Sequence, residues 1–173
     1  GAVQVSSGSH SISAIVNNSS GADAYLYAWI DLNRDGVFDE TDGELADSAP
    51  ITIANGAVDS SQDLTWSSFP GDIDAGASFV RIRIATELLT DNSGSADSRS
   101  YDAAPDGEVE DYLIDIVGTD FGDAPEAGTS YHSLLANNGP RHTTSADIYL
   151  GNQGPDLDSD GFGDGTDNNG NAT

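Results

Sequence analysis

The sequence predicts an all-β chain folded as an antiparallel β-sandwich, and three observations carry that expectation. Apolar residues recur with a period of two rather than 3.6. The periodic runs are short, and each is bounded by Gly, Asn, Asp or Ser, the residues of turns. No long amphipathic helix interrupts them, and residues 40–48 have room for a turn of helix at most. Short strands with turn signals between them define sandwiches and related all-β folds.

The expected strands follow in chain order. Residues 10–16 alternate, with Ile12, Ala14 and Val16 against Ser11, Ser13 and Ile15. Residues 24–32 make a strong strand, with Tyr25, Tyr27 and Trp29 on one face and Leu26, Ala28 and Ile30 on the other. Such an aromatic strand belongs in a core more often than on a sugar-stacking platform. Residues 51–54 and 63–66 are weaker strands. Residues 79–85 read FVRIRIA, so Val80, Ile82 and Ile84 oppose Arg81 and Arg83. The last strand is 109–117, whose face of Tyr112, Ile114 and Ile116 is expected in the core.

Composition narrows the function. The chain has 173 residues and a formal charge of −25, from 30 acids against 5 bases. All the bases are Arg: Arg34, Arg81, Arg83, Arg99 and Arg141. Nothing neutralises phosphates, so neither nucleic acid nor an anionic membrane surface is an expected partner. No stretch is long and apolar enough to enter and span a bilayer. Cysteine is absent, which removes disulfides and thiolate metal sites. A small loop-rich domain without disulfides needs another staple, and bound metal is the obvious one. The sequence begins at Gly1 without a leader, as expected for a piece processed or excised from a longer chain.

Composition shifts after Val117. Residues 1–117 carry the sandwich. Residues 118–173 are rich in Gly, Asp and Asn, with apolar runs only at 131–135 and 148–150. By composition alone this extension is disordered, and bound ions are the expected source of any order in it. Acidity of this strength also serves solubility. A merely solvated face, however, needs no Asp at alternate positions beside Gly.

Two stretches have that spacing. Ca²⁺ takes six to eight hard oxygen ligands, and a D-x-[DN]-x-[DN]-G loop offers them at positions 1, 3, 5, 7, 9 and 12. The first match is Asp31, Asn33, Asp35, Gly36, Val37 through its carbonyl, Asp39 and Asp42. Position 12 is Asp rather than Glu, and Glu40 or Glu44 is a substitute for closing the site. The loop leaves a strand rather than a helix, so it is not an EF-hand. The second match is Asp156, Asp158, Asp160, Gly161, Phe162 through its carbonyl, Asp164 and Asp167. Without metal, its five carboxylates would repel at close range. The bland alternatives are a metal-free Asx turn for the first loop and a flexible acidic linker for the second.

Residues 106–112 read DGEVEDY. Period two puts Glu108 and Glu110 on the face of Tyr112 and Ile114, the expected core side, where an unpaired carboxylate is costly. They need a cation. Arg81, Arg83 and Arg99 are the candidates, since the guanidinium fork matches a carboxylate at two points, and Ca²⁺ is the other. DGEVEDY, preceded by the aromatic strand ending in WIDLNRDG, resembles the GEVED domain of large bacterial secreted and surface proteins. The resemblance covers residues 1–117 and implies a β-sandwich in adhesin-like, often RTX-type, multidomain proteins outside the cell. The later DFGDAP at 120–125, Tyr131, Arg141, His142, YLG at 149–151 and the Asp/Gly run look like the segment that opens such a unit. In the family that segment comes before the WIDxNxDG strand; here it follows GEVEDY. The resemblance therefore implies tandem neighbouring domains, or a subunit completed head to tail by another copy.

An enzyme is not expected. His10, His132 and His142 are scattered, and no nucleophile triad or metalloprotease order occurs. Glu108 and Glu110 as a glycosidase pair compete with a structural role. His142 is expected to pack or hydrogen-bond. The expected function is a Ca²⁺-stabilised module of an extracellular or cell-surface adhesin or biofilm filament. The alternative is an adhesive tip that takes a glycan or peptide in a shallow groove lined by Trp29, Trp66 or Tyr101.

Overall fold

The computed structural model describes residues 2–4, 9–39, 43–67, 69, 76–92, 96–122, 124, 131–144, 148 and 150. The chain divides into two compact units, one from residues 8–70 and 78–114, the other from residues within 1–7, 71–77 and 115–173. The described residues are all-β, with short 3-10 turns and no α-helix. Nine strands are described: β1 (Ala2–Gln4), β2 (His10–Asn18), β3 (Ala24–Ile30), β4 (Ile51–Ile53), β5 (Ala57–Trp66), β6 (Gly76–Ala85), β7 (Glu108–Val117), β8 (Thr119–Phe121) and β9 (Arg141–Thr143).

One sheet has the order β1-β7-β6-β3-β4, and a second pairs β2 with β5. Strand β3 runs antiparallel to both neighbours, with Ala24 opposite Ile53 and Trp29 opposite Arg81. It is covered on both faces. Leu26, Ala28 and Ile30 are buried on one, Tyr27 and Trp29 on the other. The aromatic face is closed by residues 86–92 and 96–102: Tyr27 Oη accepts from the Leu89 amide at 3.0 Å, and Trp29 Nε1 donates to Asp97 Oδ2 at 2.8 Å. Asp97 is held in turn by Arg99 through Nε and Nη2, both at 2.8 Å. A buried indole N–H and a buried carboxylate thereby satisfy each other.

Strands β2 and β5 pair antiparallel from His10 opposite Trp66 to Asn18 opposite Ala57, with an irregularity between Val16 and Asn18. Their inward side chains, Val16, Leu64 and Trp66, are buried, while Ser13 and Asp63 bond each other on the outer face at 2.6 Å. Residues 44–48 tie the two sheets together. The Glu44 carbonyl accepts from the Ile30 amide at 3.0 Å and from Trp66 Nε1 at 2.8 Å. Leu45 bridges Trp29, Ala46 N–H donates to Ala28 O, and Asp47 N–H donates to Thr65 O. The sequence left a helical turn open at 40–48. Residues 43–48 instead run as a strap whose amides and carbonyls serve β3 and β5, and 40–42 lie outside the described residues.

In the other unit β1 runs parallel to the end of β7, Ala2 opposite Asp115 and Gln4 opposite Val117. This is an exception to the antiparallel expectation. The β8–β9 hairpin pairs Thr119 with Thr143 and Phe121 with Arg141. Gly118 and Thr144 close its end by exchanging two hydrogen bonds, 3.1 and 3.2 Å. The described part of the Gly/Asp-rich extension is therefore held by backbone pairing around a buried Phe121. His142 is exposed on β9 opposite Asp120, rather than packed.

Candidate metal centre

Strand β3 ends at Ile30, and the chain turns at once through the first Asp-rich stretch. Asp31 is fixed by its backbone, its N–H donating to Phe79 O at 3.1 Å and its carbonyl accepting from the Ser78 hydroxyl. The side chains then wind the loop. Asn33 Oδ1 accepts from the Asp35 amide at 3.0 Å, Asp35 Oδ1 from the Val37 amide at 2.8 Å, and Asp31 Oδ2 from the Gly36 amide at 3.2 Å. These short Asx turns need left-handed backbone, which Arg34 adopts at φ 58° and Gly36 at φ 84°. Phe38 pins the far side: its carbonyl accepts from the Asp97 amide at 2.8 Å, and the Arg81 guanidinium lies 5.1 Å from its ring centre.

Glu44 closes the loop from inside. Its side chain is 0% exposed. Oε1 accepts from the Leu32 amide at 2.8 Å and Oε2 from the Asp39 amide at 3.0 Å, so one carboxylate spans both ends. Burial pushes its pKa up to about 7, against the hydrogen bonds from Asp39, Leu32 and Asn33, and the Asp39 charge adds to the rise. Asp31 is 7% exposed, and its Oδ1 is buried with no hydrogen-bond partner. Its pKa is raised first by burial and then by the Asp35 charge, with the Gly36, Arg34 and Asp35 amides pulling the other way.

A buried carboxylate oxygen without a donor carries an unrecovered desolvation cost. A hard cation would remove that cost, and the same loop carries further oxygens of the kind such an ion takes. Asp31, Asn33, Asp35, the Val37 carbonyl and Asp39 share this loop, and each oxygen already accepting one N–H keeps a second lone pair. Among the described residues no three acidic or histidine side chains converge as a ready cage. Position 3 of the loop is the amide Asn33 rather than an acid, and Asp42 lies outside the described residues. So does the whole second loop, Asp156, Asp158, Asp160, Phe162, Asp164 and Asp167. Glu44, two residues past position 12, is where the loop finds its closing carboxylate. The sequence offered it, with Glu40, as a substitute for Asp42 at position 12, and Glu40 lies outside the described residues.

The 106–112 stretch is built differently from the sequence expectation. Asp106 accepts from the Thr86 amide at 3.0 Å and from the Thr86 hydroxyl at 2.8 and 2.7 Å. Gly107, at φ 110°, lies so close to β6 that a Cβ would stand 1.9 Å from Ile84 O. Asp111 takes the fork of Arg81 by two 2.7 Å bonds. Glu108 and Glu110 are exposed. The core face of β7 begins only at Ile114, and even Tyr112 is half exposed. An Arg partner was the right chemistry for the wrong carboxylate. Arg83, buried, instead caps the carbonyls of Arg99 and Asp102, and Arg99 serves Asp97. Trp29 and Trp66, at 0% and 1% exposure, line no groove. Tyr101 does, in a cleft of about 510 Å³ with Arg81, Asp102, Asp106 and Val109.

Fold and loops together define an all-β module closed by an acidic strand-opening motif. The family model of the GEVED domain matches residues 25–115, more than half of the chain, and the chain belongs to that family. No curated protein and no solved structure matches it.

Proposed function

We propose that the chain is a calcium-stabilised structural module of an extracellular bacterial adhesin or surface filament. The observation that carries this reading is the buried, unpartnered Oδ1 of Asp31, set in an alternating Asp-Asn-Asp-Gly loop beside the buried Glu44. A loop that buries carboxylate without a counter-charge is destabilising until a cation arrives, and a long irregular loop offering many oxygens suits the six to eight flexible ligands of Ca²⁺ better than the strict octahedron of Mg²⁺. The second loop, 156–167, binds a further ion in this reading and orders the extension. The chain then stays loose where calcium is scarce and folds in the millimolar calcium outside the cell. Head-to-tail contact with a neighbouring unit or copy completes the array.

Calorimetric titration of the EDTA-stripped chain with CaCl₂ tests the site. Asp31→Ala removes one binding event and Asp158→Ala another. A variant that keeps the parent's stoichiometry and heat removes that residue from the ligand set.

A further inference from the structure

Phe38 stands between two of the loop's proposed ligands, Val37 with its carbonyl at position 7 and Asp39 with its carboxylate at position 9. Its own side chain is not a ligand. Its carbonyl and its ring instead reach two other parts of the same unit. The carbonyl accepts from the Asp97 amide at 2.8 Å, and the ring centre lies 5.1 Å from the Arg81 guanidinium.

Each contact leads to a different side of the cleft at Tyr101. Asp97 opens a turn over residues 97–102. Its carboxylate accepts from the Arg99 amide at 3.0 Å and its carbonyl from the Ser100 amide at 2.9 Å, and Ser98 O takes the Tyr101 and Asp102 amides at 3.2 and 2.8 Å. Ser100, Tyr101 and Asp102 line the cleft from that turn, and Arg81 lines it from β6. The Arg81 guanidinium also donates to Ser100 O at 3.2 Å and grips Asp111 on β7. Arg83 fastens the same turn through the carbonyls of Arg99 and Asp102. Turn and strand are thus tied to each other, and Phe38 touches both.

We propose that calcium bound at residues 31–39 sets the position of the 97–102 turn, and with it the Tyr101 side of the cleft, through Phe38. The inference rests on the calcium reading above. An ion that draws in the Val37 carbonyl and the Asp39 carboxylate fixes the backbone on both sides of Phe38. Without the ion the loop carries the desolvation cost of Asp31 Oδ1 and relaxes, and the two Phe38 contacts move with it. The loaded and the relaxed loop are the two states between which calcium chooses. The competing reading is a turn fixed whatever the loop does, since Trp29 and Arg99 also hold Asp97.

The test is NMR hydrogen exchange of the full labelled chain in calcium and in EDTA, beside calorimetric titration with CaCl₂. The amides of Asp97, Ser100, Tyr101 and Asp102 are compared with those of the loop and with the β2–β5 pair as reference. Removing calcium is expected to speed exchange in the turn by at least about fivefold, to shift the Trp29 indole and Arg81 Nε–H signals, and to change the reference pair less. Phe38→Ala is expected to keep the calcium stoichiometry and the response of the Asp97 amide, which answers to the backbone, but to lose the response at Arg81. Phe38→Leu serves if the Ala chain does not fold. Absence of both heat and a response at 31–39 overturns the calcium reading and this inference with it. Heat and a response at 31–39 with none in the turn overturns the inference alone. So does an equal response in the reference pair, where the ion acts on the whole fold, or an Arg81 response that survives loss of the ring.

Discussion

The guanidinium of Arg81 grips the carboxylate of Asp111 at two points, Nε to Oδ1 and Nη2 to Oδ2, each at 2.7 Å. The bond joins the middle of β6 to the middle of β7, and Ile84 beside Gly107 shows the two strands running in opposite directions. The fork holds the Asp111 carboxyl below the ordinary carboxylate range and raises Arg81. Both side chains are partly exposed, so the contribution is that of a well-formed surface pair.

Replacing Asp111 with Asn is therefore expected to lower stability by about 0.5–1.5 kcal/mol. Arg81→Lys keeps the charge but loses the second bond, and should lie between parent and Asp111→Asn. Glu108→Gln and Glu110→Gln should stay within about 0.5 kcal/mol of the parent. Urea unfolding at neutral pH measures all four. A larger loss at Glu108 than at Asp111 would restore the buried role that period two suggested for it.

Gly107→Ala should be the most damaging small substitution in the motif. Both the φ of 110° and the 1.9 Å approach to Ile84 O oppose a Cβ, and the obstacle is backbone. A loss above about 3 kcal/mol is expected from strain and lost pairing together. Gly56→Ala is the control, with φ 88° but open space around it. It should cost only about 1 kcal/mol, the strain of left-handed backbone alone. Equal melting shifts for the two would mean that close approach plays no part.

The central strands were legible because alternation and turn residues agree there. β3 was expected to reach residue 32 and ends at Ile30, with Leu32 buried beyond it under the loop. β5 begins at Ala57, six residues before its expected start, because register with β2 rather than apolar pattern extends it. Strands β1, β8 and β9 have three residues each, too few to show a period. The faces of β7 were in phase, but alternation carries no information on depth. Glu108, Glu110 and Tyr112 stand on the core side of a strand that has not yet reached the core. The loop chemistry at Asp31, Asn33 and Asp35 was readable from spacing. The clamp by Glu44 was only one of two options, since closing a loop depends on where the chain returns.

Acid is expected to stabilise the metal-free protein over one window. Glu44 titrates near pH 7 in the fold against 4.5 in its ordinary state, raised by burial. The folded chain thus holds a proton that the unfolded chain has lost, and stability falls as pH rises from about 4.5 to about 7. His10, lowered by burial, acts in the opposite sense, its contribution being lost as pH falls below its ordinary 6.5. The difference between parent and Glu44→Gln isolates the Glu44 part. In EDTA the parent's urea midpoint should drop by about one proton's linkage across that window, and the variant's should not. Parallel pH curves would show that Glu44 is ionised throughout.

Thermal unfolding during a calcium titration, against EDTA and against matched NaCl and MgCl₂, with light scattering on the same samples, separates an ion-stapled fold from a merely acidic surface. A calcium-specific rise in melting temperature that shrinks in Asp31→Ala is expected. A concurrent rise in mass would add head-to-tail assembly. Equal stabilisation by all three salts would rule out a calcium staple. The acidity would then be a solvated surface, and residues 31–39 an ordinary turn.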